Sequence, residues 1–185
     1  MPRETYIPCL MDLFQQHGYD GATLARISAA TGLGKASLYH YFPGGKEEMA
    51  VAVFEYLEGW MSDHILPALR GEGDGLTRLQ RMCTQFNTLY EGGHRPCLLA
   101  IVLMGSARGL FHDRIRQVFQ TWLAAIAEVL VEMGLPADLA QQRSEDAAIS
   151  IQGSLVLALA LDDPSPFQRV LQELPAELCR PADAS

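Results

Sequence analysis

Cysteine is scarce and scattered in this chain. Its 185 residues include four, Cys9, Cys83, Cys97 and Cys179, with no CxxC pair and no histidine pair at metal-ligand spacing. That pattern argues against a structural zinc site and a disulfide framework, and leaves reduced thiols as the expectation. No metal or other cofactor is therefore expected. Long apolar runs are also missing: Cys97–Gly105, CLLAIVLMG, falls short of the roughly 20 residues that a spanning helix needs. No charged stretch followed by an apolar one opens the sequence, so no secretory signal and no membrane partner are expected, and the cytoplasm is the expected location. Catalytic signatures are absent too. There is no HExxH and no nucleophile paired with a base, and Gly44-Gly45-Lys46 lacks the leading glycine and the strand of a phosphate loop. His112-Asp113 and Glu145-Asp146 read as solvated helix faces. The chain is not expected to be an enzyme.

Cations are few: 14 basic residues face 22 acidic ones, for a net charge of −8. Their distribution matters more than the total. Residues 1–50 carry four basic and five acidic side chains, while 51–185 carry ten and seventeen. The amino-terminal part is thus near neutral, and the remainder repels phosphate. Any contact with nucleic acid must rest on Arg3, Arg26, Lys35 and Lys46, doubled if two copies act together.

What is present is helical patterning. Hydrophobic residues make up 49% and charged residues 19%, a globular balance. No strand alternation and no repeat occurs, so the expected fold is all-α: a three-helix domain over residues 1–46 and a helical bundle over 47–185. Ile7, Leu10, Met11 and Phe14 recur at helical spacing, with Pro8 setting either a late start or a kink. Gly18 suits a left-handed C-cap, and Thr23 suits the N-cap of the next helix. Leu24, Ile27 and Ala30 face inward there, Gly32 turns the chain, and 34–42 forms a third helix anchored by Leu38 and Phe42. Pro43-Gly44-Gly45 ends it. Further helices are predicted over 46–66, 76–90, 96–107, 110–133, 137–161 and 166–174.

Small residues at Ala29, Ala30 and Gly32 allow two helices to approach and turn sharply, as a helix-turn-helix requires. With Leu38 and Phe42 inward, Lys35, Ala36, Ser37, Tyr39, His40 and Tyr41 are left for the outer and flanking faces. Ser37 and Tyr39 suit phosphates or base edges, and Ala36 is small enough for a thymine methyl. Lys46 opens the next helix, where the dipole also favours a phosphate. Arg3, Thr23 and Arg26 complete the expected DNA-contacting set.

Arg3, Leu13-Phe14, Gly18-Tyr19, Thr23, Ile27-Ser28, Thr31-Gly32, Gly34-Lys35, Ser37, Leu38 through Phe42 and Lys46-Glu47 together resemble the TetR family of bacterial regulators. The Phe42-to-Glu47 turn, FPGGKE, further resembles the LmrA/YxaF-like group. The chain departs from the family pattern at Pro8 and in having almost no basic arm before the first helix. The resemblance implies an all-helical homodimer that binds a palindromic operator in double-stranded DNA, usually as a repressor. It also implies that a small molecule in the carboxy-terminal body releases the DNA.

Beyond residue 50, Trp60, Met82, Phe86, Tyr90, Met104, Phe111, Trp122 and Ile126 are expected around a central space, though they equally suit a helical core. His64, Asn87, Arg108 and Gln152 are the polar candidates among them. Cys97 follows Arg95-Pro96 at a helix start, where a thiol is favoured as thiolate. The alternative function is therefore a redox or electrophile sensor, against a buried small residue as the plain reading. A helical dimer without DNA binding is the other alternative. Ala147, Ala148, Ile151, Ser154, Leu155 and Ala158 form one small apolar stripe, and Phe167, Val170, Leu171 and Leu174 a second. Both suit the core of a single chain, but two DNA half-sites call for a dimer, and these ten residues are its expected interface. Effector binding near the helix at 46–66 would tilt it and alter half-site spacing.

Overall fold

The computed structural model describes residues 2–181, and no strand occurs among them. Ten α-helices follow in order: α1 Ile7–Gly21, α2 Leu24–Thr31, α3 Lys35–Tyr41, α4 Gly45–Trp60, α5 Leu66–Arg70, α6 Gly75–Leu89, α7 Leu98–Met104, α8 Arg108–Glu132, α9 Ala137–Leu161 and α10 Ser165–Leu178. The fold class is all-α, as the patterning predicted.

Residues 1–60 and 98–115 form one compact unit, and 61–97 with 116–185 form another. In the first, Pro8 falls at the start of α1, where a missing N–H costs nothing, preceded by a 3-10 turn at Arg3–Tyr6. Gly18, expected to cap the end of the helix, instead kinks α1 at φ +64°, and a Cβ there would lie 3.7 Å from Ile101 of α7. Leu10, Phe14, Ile27, Phe42, Met49 and Val53 fill the centre. The Phe54 and Phe111 rings stack at 4.3 Å. Asp20 accepts from the Ser106 hydroxyl at 2.6 and 2.7 Å, and Arg114 pairs with Glu58 at 3.1 Å. Residues 98–115 are therefore packed and hydrogen-bonded onto the same body as α1 and α4.

In the second unit Met61–Ile65 make a π-helical turn, and helix resumes through Pro67 to Arg70. Pro67 directly follows the end predicted for the helix over 46–66. It sits in the first turn of α5, where its missing donor is harmless. Asp74 caps α6, its Oδ1 accepting from the Thr77 N–H at 2.8 Å, and these bonds hold its carboxyl below the ordinary range. α9 ends at Asp162 in left-handed conformation, and Asp163 accepts from the Ser165 N–H at 2.9 Å to start α10. α10 runs to Leu178, past the predicted end, with Pro175 inside it.

The expected interface stripes need correction. Ala147, Ala148, Ile151, Ser154, Leu155 and Ala158 are all buried within the single chain, as are Phe167, Leu171 and Leu174, while Val170 is half-buried. They pack α9 and α10 into the unit's own core. The outward face of α9 carries Ile149, Val156, Leu157 and Leu161, which are 69%, 62%, 53% and 62% exposed. α9 is also long and apolar enough, by length and composition, to cross a bilayer, which the short apolar runs had not suggested. A helix apolar on two opposite faces has this character, and one placed between its own core and a second protein surface has the same composition.

Candidate nucleic-acid interface and sensor unit

The helix-turn-helix is held by local bonds that the sequence dictates. Thr23 Oγ1 accepts from the Arg26 N–H at 3.3 Å, capping α2. Gly32 takes φ +70° and donates to the Ser28 carbonyl at 2.9 Å, which ends α2 and turns the chain. Ser28 Oγ then donates to the Leu33 carbonyl at 2.5 Å, and Thr31 Oγ1 accepts from the Leu33 N–H at 3.3 Å, fixing the turn before α3. Thr23→Ala is expected to lower stability by about 1 kcal/mol, the usual worth of an N-cap, in a urea titration. A loss of DNA affinity larger than that change explains would mark the hydroxyl as a phosphate contact as well.

On α3, Leu38 is 1% exposed and Phe42, next to its end, is fully buried. Lys35, Ala36, Ser37, Tyr39 and His40 are exposed, a contiguous outer surface on a helix anchored from behind. Tyr41 is half-buried, its ring 5.3 Å from that of Tyr6 and 5.3 Å from His40. Burial, then Tyr41, push the Tyr6 phenol up.

The expected cations are less free than their positions suggested. Lys46 Nζ donates to the Tyr19 carbonyl at 3.0 Å and lies 4.3 Å from the Tyr19 ring centre. Arg3 pairs with Glu48 at 3.1 Å, and Arg26 donates to the Gly21 carbonyl at 2.8 Å. Among the described residues Lys35 is the one of the four with neither an ion pair nor a hydrogen bond. An ammonium has three donors and a guanidinium five, so the tied cations keep donors for phosphate. The start of α4 is itself capped by Glu48 Oε2, which accepts from the Gly44 N–H at 2.7 Å.

The expected ligand residues divide between the two units. In the second, Met82, Phe86, Tyr90 and Trp122 are buried together. Phe86 lies 4.8 Å from Trp122 and 6.0 Å from Tyr90, Trp122 Nε1 donates to Met82 Sδ at 3.4 Å, and Gln152 Nε2 donates to the Tyr90 hydroxyl at 3.3 Å. His64 of this unit is exposed. Trp60, Met104, Arg108 and Phe111 belong to the first unit. Met104 does not line a cavity: as the last residue of α7 it is 89% exposed. Phe111 borders a cavity of only about 10 Å³, lined also by Phe14, Tyr19 and Phe54, too small for a ligand. Cys97 is 6% exposed and faces the Tyr90 hydroxyl, while Arg95 pairs with Glu91 at 3.0 Å. Burial shields this thiol from reagents.

A cleft of about 420 Å³ in the second unit, between α6 and α10, lies largely outside the expected set. Of its lining, Asn87 stood among the sequence candidates for ligand binding and Leu171 among those for the interface. The available signal was the recurrence of Gln80, Thr84 and Asn87 at i, i+4 and i+7, which reads equally as a solvated face.

An anchored helix with an exposed outer face, in a chain with a second helical unit, is the arrangement of a helix-turn-helix transcriptional regulator. Residues 10–53 match the family model for bacterial regulatory proteins of the tetR family, and 75–173 match that for the LmrA/YxaF-like transcriptional regulator C-terminal domain. The chain belongs to the TetR family, in its LmrA/YxaF-like group. It is 28% identical to the uncharacterized HTH-type transcriptional regulator YxaF of Bacillus subtilis, over 94% of this chain and 93% of that one. With the HTH-type transcriptional regulator LmrA of Bacillus subtilis it shares 24% identity over 96% and 97%. Among solved structures, a cysteine mutant of the TetR-family regulator CifR, complexed with 26-base-pair operator DNA, superposes with a TM-score of 0.76 at 18% identity, over 94% of this chain and 95% of that one.

Proposed function

We propose that this chain is a ligand-responsive repressor of the cytoplasm that binds a palindromic operator as a homodimer and leaves it when a small molecule occupies the body formed by residues 47–185. The observation that carries the DNA part is the outer surface of α3: Lys35, Ala36, Ser37, Tyr39 and His40 exposed on a helix whose Leu38 is buried. An exposed tyrosine and histidine beside serine and alanine suit groove edges and phosphates. Operator binding by the fold relative CifR is consistent with this use. Arg3, Arg26 and Lys46 serve as flanking phosphate contacts through the donors they keep.

The homodimer rests on the exposed apolar face of α9, Ile149, Val156, Leu157 and Leu161. An uncovered face of this kind on a long helix calls for a partner, and an isologous contact through it brings two recognition helices onto one duplex. Effector release follows as a population shift, limited by the difference in ligand affinity between the two states.

The test is capture of genomic fragments by the purified protein, then titration of the best fragment across salt concentrations. A palindromic site is expected, with log affinity falling against log salt by about 0.9 for each phosphate neutralised. A folded protein that enriches no site, or whose binding ignores salt, would refute the reading.

A further inference from the structure

The cleft between α6 and α10 is lined by Gln80, Cys83, Thr84 and Asn87 from one helix and Gln168, Leu171, Gln172 and Pro175 from the other. None of these side chains carries a charge. Its volume of about 420 Å³ lies within the range of small-molecule sites. The carboxamides of Gln80, Asn87 and Gln172 have no hydrogen-bond partner among the described residues, and each offers two donors and an acceptor. Gln168 is partly engaged, its Nε2 donating to the Gly92 carbonyl at 3.3 Å, which leaves its oxygen available. Thr84 donates to the Gln80 carbonyl at 3.0 Å and keeps its lone pairs.

A second feature adds to this. Pro175 lies inside α10, and a proline has no N–H for the carbonyl four residues earlier. That carbonyl belongs to Leu171, and both residues line the cleft. The Leu171 carbonyl thus lacks its regular helical donor in a residue that lines the cleft. Burial pushes the Cys83 thiol up to about 12, so this part of the lining stays neutral at physiological pH. Cys83, Leu171 and Pro175 supply an apolar floor beneath the amide rim.

We propose that this cleft is a binding site for an uncharged small molecule bearing several hydroxyl or amide groups on a compact carbon frame. Carboxamides match groups that both donate and accept, and the absence of charged lining disfavours ions, which would be desolvated without compensation. No residue of the cleft belongs to α9, so the exposed α9 face and the cleft are separate surfaces. The inference does not depend on DNA binding or on effector release.

The test is NMR on the full-length, isotope-labelled protein, titrated with N-acetylglucosamine, methyl glucoside and N-methylacetamide, with choline and inorganic phosphate as charged comparators. Saturable shifts of the side-chain amides of Gln80, Asn87 and Gln172 are expected with at least one uncharged probe and with neither ion. Gln172→Leu and Asn87→Leu, both at exposed positions, are expected to weaken that binding about tenfold or more each, the scale of one lost hydrogen bond of about 1.4 kcal/mol. No saturable shift at these amides, equal binding of the ions, or binding unchanged in both variants would overturn the proposal. Backbone spectra of the variants report folding, so a lost site is distinguished from a lost structure.

Discussion

Tyr39→Ala is expected to weaken operator binding by at least about 30-fold while leaving the unfolding transition where it is. The estimate follows from position and symmetry. A good base-edge contact is worth about 1–3 kcal/mol, and a homodimer loses it twice, so about 2 kcal/mol is the lower bound. The fold should not notice. Tyr39 is 42% exposed, and its ring edge lies over Gly45, where an added Cβ would be 3.5 Å away. Surface truncations of this kind stay within about 0.5 kcal/mol. Its neighbour provides the contrast: Leu38 is 1% exposed, and Leu38→Ala is expected to cost about 2–5 kcal/mol of stability through the cavity it leaves. Operator titration and urea unfolding of both variants separate reading from scaffolding. Unchanged operator affinity in Tyr39→Ala would remove α3 from its proposed role.

The helix-turn-helix was legible because the local signals that shape it each have one meaning. Thr23, Gly32 and the Leu38–Phe42 pair specify a cap, a turn and an anchored helix, and the structure uses them so. What the sequence could not convey was where the cations spend their donors. Lys46 at a helix start reads as a phosphate ligand, yet its bond to the Tyr19 carbonyl spans 27 positions, which no local pattern announces. The second unit was harder for a related reason. Aromatic and methionine positions mark burial without naming the partner: Phe86 packs with Trp122, while Phe111 pairs with Phe54 in the other unit. The cleft was hidden because exposed glutamines on two helices carry no sign that they face one another.

The stripes on α9 show the limit of periodicity most clearly. Ala147, Ile151, Ser154 and Ala158 form one apolar line, and Ile149, Val156 and Leu157 lie on another. Composition does not say which is core. The answer comes from α10: Phe167, Leu171 and Leu174 need cover, and the first line provides it within the same chain. The second is left exposed.

That assignment sets up a discriminating pair of substitutions. Leu157→Arg is expected to yield a folded monomer by sedimentation, with operator affinity reduced about 10³-fold or more, because a single recognition helix approaches non-specific binding. Each Leu157 appears twice in an isologous interface, so two cations would be forced into an apolar contact without partners, at a cost of several kcal/mol each. Leu155→Arg, two positions away, carries the same charge to a side chain that is 1% exposed inside the unit. It is expected to unfold the second unit rather than divide a dimer. The two outcomes cannot be exchanged without exchanging the two faces of α9: a folded monomer from Leu155→Arg, or a Leu157→Arg protein that stays dimeric with full operator affinity, would return the interface to the face that now packs the core.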